Sequence, residues 1–212
     1  FNFAGVSDID EANQFPLKTI NYNIIGTVNI LEAIKINPVK NFIFASSIYS
    51  RSKQGGFYST TKRTCESLIE DYSSKYGIKF TVLRFGSLYG TRANNFNAIL
   101  GFIRDGIKNG KIVRKSSGKE IRNYVNANDA AKIVLKIMNK KYESKFLNII
   151  GKQKLSIKKV IKLIAKKINV KKIIFNGKKP GKYHYNLNPF TYEINKGKML
   201  YPQNSVNFEK SF

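Results

Sequence analysis

Apolar and polar positions along the first ninety residues predict an alternation of strand and helix. Residues 1–4, 40–46 and 79–85 are short apolar runs, the second bounded by Lys40-Asn41 and Ser46-Ser47, the third carrying Phe80, Val82 and Leu83. Runs of that length and composition read as buried strands. Between them lie helical patterns at 15–35 and 57–76. Pro16 suits the first turn of the former. Leu68, Ile69 and Tyr72 stripe the latter, and Gly77 is placed to end it as a left-handed cap.

The second half continues the alternation with shorter pieces. A helix is expected at 97–109, stopped by Gly110, then short strands at 112–114 and 123–125. Asn128 is expected to cap a helix at 129–139, with Asp129 in the first turn where the helix dipole favours it. A strand follows at 146–150. Ser156 should cap a helix to 168 that turns Val160, Ile161, Leu163 and Ile164 inward and its lysines to water. The last strand is 173–175. From 176 onward Gly, Asn, Pro and Lys suggest loops and a small lobe, with 203–212 fraying. Strand and helix in alternation predict an α/β fold, its parallel sheet covered on both faces.

Candidate chemistry sits on the second helix. Tyr58 and Lys62 are four residues apart in Phe57-Tyr58-Ser59-Thr60-Thr61-Lys62, so they share a helix face. A phenol titrates near ~10, and a neighbouring ammonium favours phenolate, so Lys62 is expected to pull Tyr58 toward working pH. Alone, the spacing fits two surface residues better. Upstream, Ser46 and Ser47 end an apolar strand, and ligands of open α/β sheets bind outside the carboxyl ends of strands. A hydroxyl there can bond a substrate oxygen while the tyrosine moves its proton.

Taken in order, these residues resemble the NAD-dependent epimerase/dehydratase family, extended short-chain dehydrogenases/reductases acting on sugar nucleotides. Asn2-Phe3-Ala4-Gly5 is similar to that family's strand-four cofactor motif, and Asn23-x-x-Gly26-Thr27 to its helix motif under the active site. Ser46-Ser47 and Tyr58-x-x-x-Lys62 resemble the catalytic serine and the tyrosine–lysine pair. Leu83-Arg84-Phe85-Gly86-Ser87-Leu88-Tyr89-Gly90 resembles the strand and loop that follow, and residues 118–131 resemble the segment G-x-x-x-R-x-(F/Y)-V-x-x-x-D-x-A. Five motifs in order make chance unlikely.

The resemblance implies a Rossmann-type doubly wound parallel sheet lacking its first βα units, with a small C-terminal α+β substrate lobe. The cofactor domain would end near residue 90, and residues 91–212 would supply most of the lobe, with some strands returning to the sheet. It implies Ser47, Tyr58 and Lys62 as catalytic residues, with Ser46 the other option for the serine. Ala4, Gly5, Asn23, Ala45, Ser46, Phe85 and Ser87, beside Tyr58 and Lys62, would hold NAD, with NADP as the alternative. Ser47, Arg92 and Arg122 would meet a nucleotide-diphosphate sugar, since a guanidinium bonds phosphate bidentately. Arg84 is expected to be structural. A homodimer is implied for the full-length enzyme.

Two departures qualify this. No Gly-x-x-Gly-x-x-Gly turn occurs in the 212 residues, so the chain is expected to be a fragment, weak in dinucleotide binding and catalysis by itself. The turn after Ser47 runs Ile48-Tyr49-Ser50, shorter than the family's S-x-x-V-Y-G. The dehydratase branch has Asp-Glu beside the strand hydroxyl. Here Ile48 and Tyr49 stand instead, which favours an epimerase or keto-reductase in surface-polysaccharide or nucleotide-sugar synthesis.

Composition narrows the alternatives. Cys65 is the single cysteine and His184 the single histidine, so a disulfide framework, a histidine-rich metal site and a Ser-His-Asp triad near the motifs are not expected. Cys65 reads as a small buried hydrophobe and fits a reducing cytoplasm. No apolar run reaches a membrane span, so neither metal nor membrane is expected as partner. A net charge of +25 raises nucleic acid as a partner. Thirty-one lysines against seven arginines, read as spread along the chain, argue against it, because base recognition favours arginine. A non-catalytic cofactor-binding protein of the same fold is the remaining alternative, although such relatives commonly lose the tyrosine or lysine.

Overall fold

The structure, a computed structural model, describes residues 1–177, 181–195 and 197–198. The expected fraying of 203–212 lies outside the described residues.

Three parallel strands form the main sheet, in the order β1 (Phe42–Ser47), β2 (Phe80–Phe85), β6 (Lys145–Ile149). Phe42 pairs with Phe80 and Ser47 with Phe85, so the two strands end level. Strand periodicity divides β1 between two cores. Phe42 and Phe44 join Leu31, Cys65, Ile69 and Val82 on one face, while Ile43 joins Leu83, Val125 and Ile149 on the other. The strand expected at 1–4 contracts to a single parallel bridge, Asn2 to Phe44. Its flanking Phe1 and Phe3 are exposed, so no apolar face holds more of the segment in register.

Helices cover the Phe44 face. α1 (Ile9–Gln14) was not expected, yet its signals are ordinary: the Asp8 carboxylate accepts from the Glu11 amide at 2.7 Å, and Asp10 and Glu11 occupy the first turn. The helix expected at 15–35 is present in three parts: α2 (Pro16–Ile20), a wide π turn (Asn21–Ile25), and α3 (Gly26–Ile36). α4 (Phe57–Tyr76) ends as expected at Gly77, whose φ of 70° is left-handed.

Among the described residues the rest of the chain adds two smaller sheets and further helices, with Val125, Ala130 and Ile137 packed on the Ile43 face of the main sheet. β3 (Ser87–Tyr89) runs parallel to β5 (Ile121–Asn126), which pairs antiparallel with β7 (Lys154–Ser156). β4 (Lys111–Arg114) pairs with β8 (Lys172–Phe175). α5 (Ala98–Asn109) is capped by Asn97 and closed by Gly110. α6 (Ala127–Lys136) starts two residues earlier than expected: the cap is Asn126, which accepts from the Asn128 amide, because β5 delivers the chain to that residue. α7 (Ile157–Lys167) has the expected Ser156 cap. It buries Ile157, Val160, Ile161 and Ala165, but Leu163, expected inside, is 51% exposed. At about 100° per residue Leu163 falls among the lysines rather than with the buried four.

Candidate active site

The carboxyl end of β1 meets the first turns of α4. Ser47 ends the strand, and its hydroxyl accepts from the Tyr49 amide at 3.2 Å, capping a 3-10 turn over Ile48–Arg51. The same hydroxyl lies close enough to the Tyr58 phenol to act on its acidity. One turn along α4, Lys62 donates from Nζ to the Ala45 carbonyl at 2.8 Å, with the ammonium 5.0 Å from the centre of the Phe44 ring. Tyr58, Lys62, Ser46 and Ser47 are all buried. The two serines, left open by sequence, point to different partners. Ser46 donates to the Glu66 carboxylate at 2.5 Å, whereas Ser47 is the serine that acts on Tyr58.

Glu66 anchors this arrangement from below. It lies four residues after Lys62 and accepts from Arg84 at 3.0 Å to Oε1 and 2.6 Å to Oε2. A fork of this kind suits a guanidinium, in keeping with the structural role expected of Arg84. The guanidinium also sits 4.7 Å from the Phe146 ring centre. Ser46, Glu66 and Arg84 thus lock β1, β2 and α4 together one residue away from Ala45 and Ser47.

Asn23 occupies the π turn, and π turns often mark functional places in helices. Its carboxamide oxygen accepts from the Val6 amide at 2.8 Å, and its Nδ2 donates to the Val6 carbonyl and to Thr61. It therefore ties the segment after Asn2 to the Tyr58 helix. Gly5 lies between, with φ 141°. A Cβ there would stand 2.5 Å from the Asn23 oxygen, so only glycine fits. Ala4 donates its amide to the Asn2 side chain. Phe85 closes β2 with Phe3 edge-on at 6.2 Å.

The electrostatics depart from expectation. Enclosure pushes the Tyr58 phenol up, opposed by the nearby Ser47 hydroxyl. Lys62 is not among the groups acting on it. A phenolate here would lose its hydration, and that loss outweighs a cation whose one protein contact is a backbone carbonyl. Burial also pushes Lys62 down, against the pull of Cys65 and Glu66. Tyr58 thus rests as a phenol, a proton donor. Cys65, as expected, is a buried thiol, and burial pushes its pKa up.

A strap from the lobe closes the far side, and sequence reasoning passed over it. The Tyr49 ring stands edge-on to Tyr58 at 6.2 Å and packs on Tyr185 at 4.9 Å, and its hydroxyl bonds His184 Nδ1 at 3.2 Å. Tyr185 is buried, and that burial pushes its phenol up, opposed by Arg122 and Ser87. Arg122 holds the strap, donating to the carbonyls of Tyr185 at 2.7 Å and Asn186 at 3.3 Å, with its guanidinium 3.8 Å over the Tyr185 ring. Arg92 is exposed at a left-handed φ of 61°, and no hydrogen bond links it to these residues. No local signal marks the strap, because its contacts join residues more than sixty apart. Glu66 did carry a signal, its helical spacing from Lys62. Among the described residues no cluster of His, Cys, Asp or Glu could hold a metal ion.

A parallel α/β sheet with serine, tyrosine and lysine gathered at a strand's carboxyl end is the arrangement that the sequence resemblance implied. The model of the NAD dependent epimerase/dehydratase family matches residues 1–150, and the chain belongs to that family. It is similar to an uncharacterized UDP-glucose epimerase, YtcB, of Bacillus subtilis, 28% identical over 68% of this chain and 49% of that protein. The chain spans about half the length of the curated relatives it matches. Two solved structures share the fold. One is UDP-glucuronic acid 4-epimerase from Bacillus cereus in complex with UDP-glucuronic acid and NAD (TM-score 0.80, 20% identity, 88% of this chain and 64% of that one). The other is UDP-glucose 4-epimerase from Thermotoga maritima with UDP-glucose (TM-score 0.77, 22% identity, 85% and 64%).

Proposed function

We propose that this chain carries the catalytic and sugar-facing part of an NAD-dependent sugar-nucleotide epimerase, with a keto-reductase as the second reading. The observation that carries it is the meeting of Ser47, Tyr58 and Lys62 at the end of β1 in a member of this family.

The residues fit half of a dinucleotide. Lys62 is buried with three donors and one protein acceptor, which leaves donors for ribose hydroxyls. Ala4, Gly5, Ala45 and Ser46 are small beside it, with Phe85 and Ser87 at the next strand end. Bound NAD would supply a reversible acceptor for hydride from a sugar carbon. Ser47 hydrogen-bonds the oxygen on that carbon and aligns it with Tyr58. As a phenol, Tyr58 donates to a keto oxygen. As a phenolate, favoured by added positive charge nearby, it takes the proton from a sugar hydroxyl. Neither Ile48 nor Tyr49 supplies a carboxylate for loss of water, which favours epimerisation over dehydration.

The substrate class is a nucleoside diphosphate sugar, and the role is nucleotide-sugar or surface-polysaccharide synthesis in the cytoplasm. Arg122 and Arg92 are the proposed diphosphate contacts. Arg122 presents five donors, of which the strap takes a share. A second copy of the chain would cover the exposed Ile25, Ile30 and Ile36.

The test is Tyr58→Phe in the full-length enzyme, assayed for epimerisation of UDP-sugars. Turnover should fall by ~10² or more with the fold intact, the scale of lost general acid–base catalysis. Near-normal turnover would remove Tyr58 from the mechanism.

A further inference from the structure

The charge of this protein is not spread as the sequence first suggests. Residues 144–192 hold thirteen lysines and no Asp, Glu or Arg, a net +13 in 49 residues. The other 163 residues carry only +12. The excess gathers on α7, where Lys158, Lys159, Lys162, Lys166 and Lys167 are all exposed. At about 100° per residue they cover one continuous half of the helix. Lys171 and Lys172 follow, and Lys172 pairs in register with Lys111, so like charges stand side by side. Among the described residues none of these lysines is in an ion pair.

Leu163 breaks that arc. It lies between Lys159 and Lys167 on the helix surface and is half exposed. Beside it opens a mainly apolar cavity of about 620 Å³ lined by Leu163, Ile164, Val160 and Ile133, with Lys152 and the single carboxylate Asp129 also on its wall. The apolar face of α7 is taken up by the lobe's own core, so what the helix offers an outside surface is its lysine arc with one exposed leucine in it, a combination that suits an anionic interface. Nucleic acid would use arginine forks, and this segment has none.

We propose that the lysine face of α7, with Leu163 and the apolar opening beside it, docks this lobe on an anionic phospholipid surface. No described helix is long and apolar enough to cross a membrane; lying on one needs only the charge and the apolar edge. Each lysine near such a surface adds roughly fivefold to binding, screened by salt. The docking is independent of the active site, so its failure would leave the proposed catalysis untouched.

Co-sedimentation of the full chain with phosphatidylcholine vesicles, with and without phosphatidylglycerol, tests it. The protein should bind only the anionic vesicles and leave them at high salt. Changing Lys158, Lys159, Lys162 and Lys166 together to glutamine should weaken binding by roughly a hundredfold or more. Leu163→Asn should weaken vesicle binding without changing its salt dependence, and leave any binding to duplex DNA unaltered. No binding to anionic vesicles at low salt would overturn the proposal. So would indifference to the four glutamines, or duplex DNA displacing the vesicles while Leu163→Asn has no effect.

Discussion

Lysine behaves oppositely in two regions of this molecule. At the end of β1, Lys62 is buried, has one carbonyl partner, and is pushed down by that burial. On α7 five lysines are exposed and, among the described residues, without ion pairs. Removing a buried charge's partner leaves a cost of several kcal/mol, whereas exposed charges add little individually and act as a field. Position therefore decides what a charge does: the proposed active site would depend on a few enclosed groups, and the proposed docking face on the sum of many open ones.

The sharpest way to break this contrast is at Glu66. It is buried and satisfies both Ser46 and Arg84. Glu66→Ala should cost about 3–5 kcal/mol in denaturant unfolding, because Arg84 is left without its partner. Adding Arg84→Met should recover much of that loss. A Glu66→Ala variant as stable as the parent would mean the network does not lock β1 to α4.

Lys62→Met comes next in size. Unfolded, Lys62 titrates near ~10.4 and holds its proton more tightly than in the fold. Its charged form therefore weighs against folding at neutral pH, and that penalty fades as pH rises toward the unfolded value. The methionine variant should be the more stable protein at pH 7, with a gap that closes toward pH 10, and it should be inactive. Thermal unfolding across that range checks the sign. A gap that widens with pH would contradict the direction argued for Lys62.

The lobe should respond weakly. Loss of the Ser156 cap in Ser156→Ala should cost about 1 kcal/mol. Lys166→Gln on the same helix should change unfolding by less than about 0.5 kcal/mol. If the lysine change costs as much as the cap, the lobe's charges hold the fold and the contrast fails.

What was legible in the sequence follows the reach of each signal. Gly77, Gly110, Ser156 and the Tyr58–Lys62 spacing act within a turn or two, and each lies where local pattern placed it. The apolar runs that became β1 and β2 are buried over most of their length and needed no alternation to be seen. By contrast, β3 and β7 are three residues each, and their pairing with β5 gives no periodicity. The choice between Ser46 and Ser47 needed the pleat of β1, and the strap from His184 to Asn186 needed tertiary contact with Tyr49 and Arg122. Leu163 was misplaced because an apolar residue was assumed to follow its neighbours inward. Tyr58's acidity was misjudged because helical spacing carries no information about enclosure.

The central claim is that Tyr58, on one helix face with Lys62 and near Ser47, moves the proton that accompanies sugar oxidation. Mixing a UDP-sugar with the NAD-loaded full-length enzyme and following near-ultraviolet absorbance of reduced nicotinamide tests it most directly. A transient rise is expected in the parent and should vanish or slow by ~10² or more in Tyr58→Phe, with sugar binding retained. An equal rise in both proteins would show that the proton goes elsewhere.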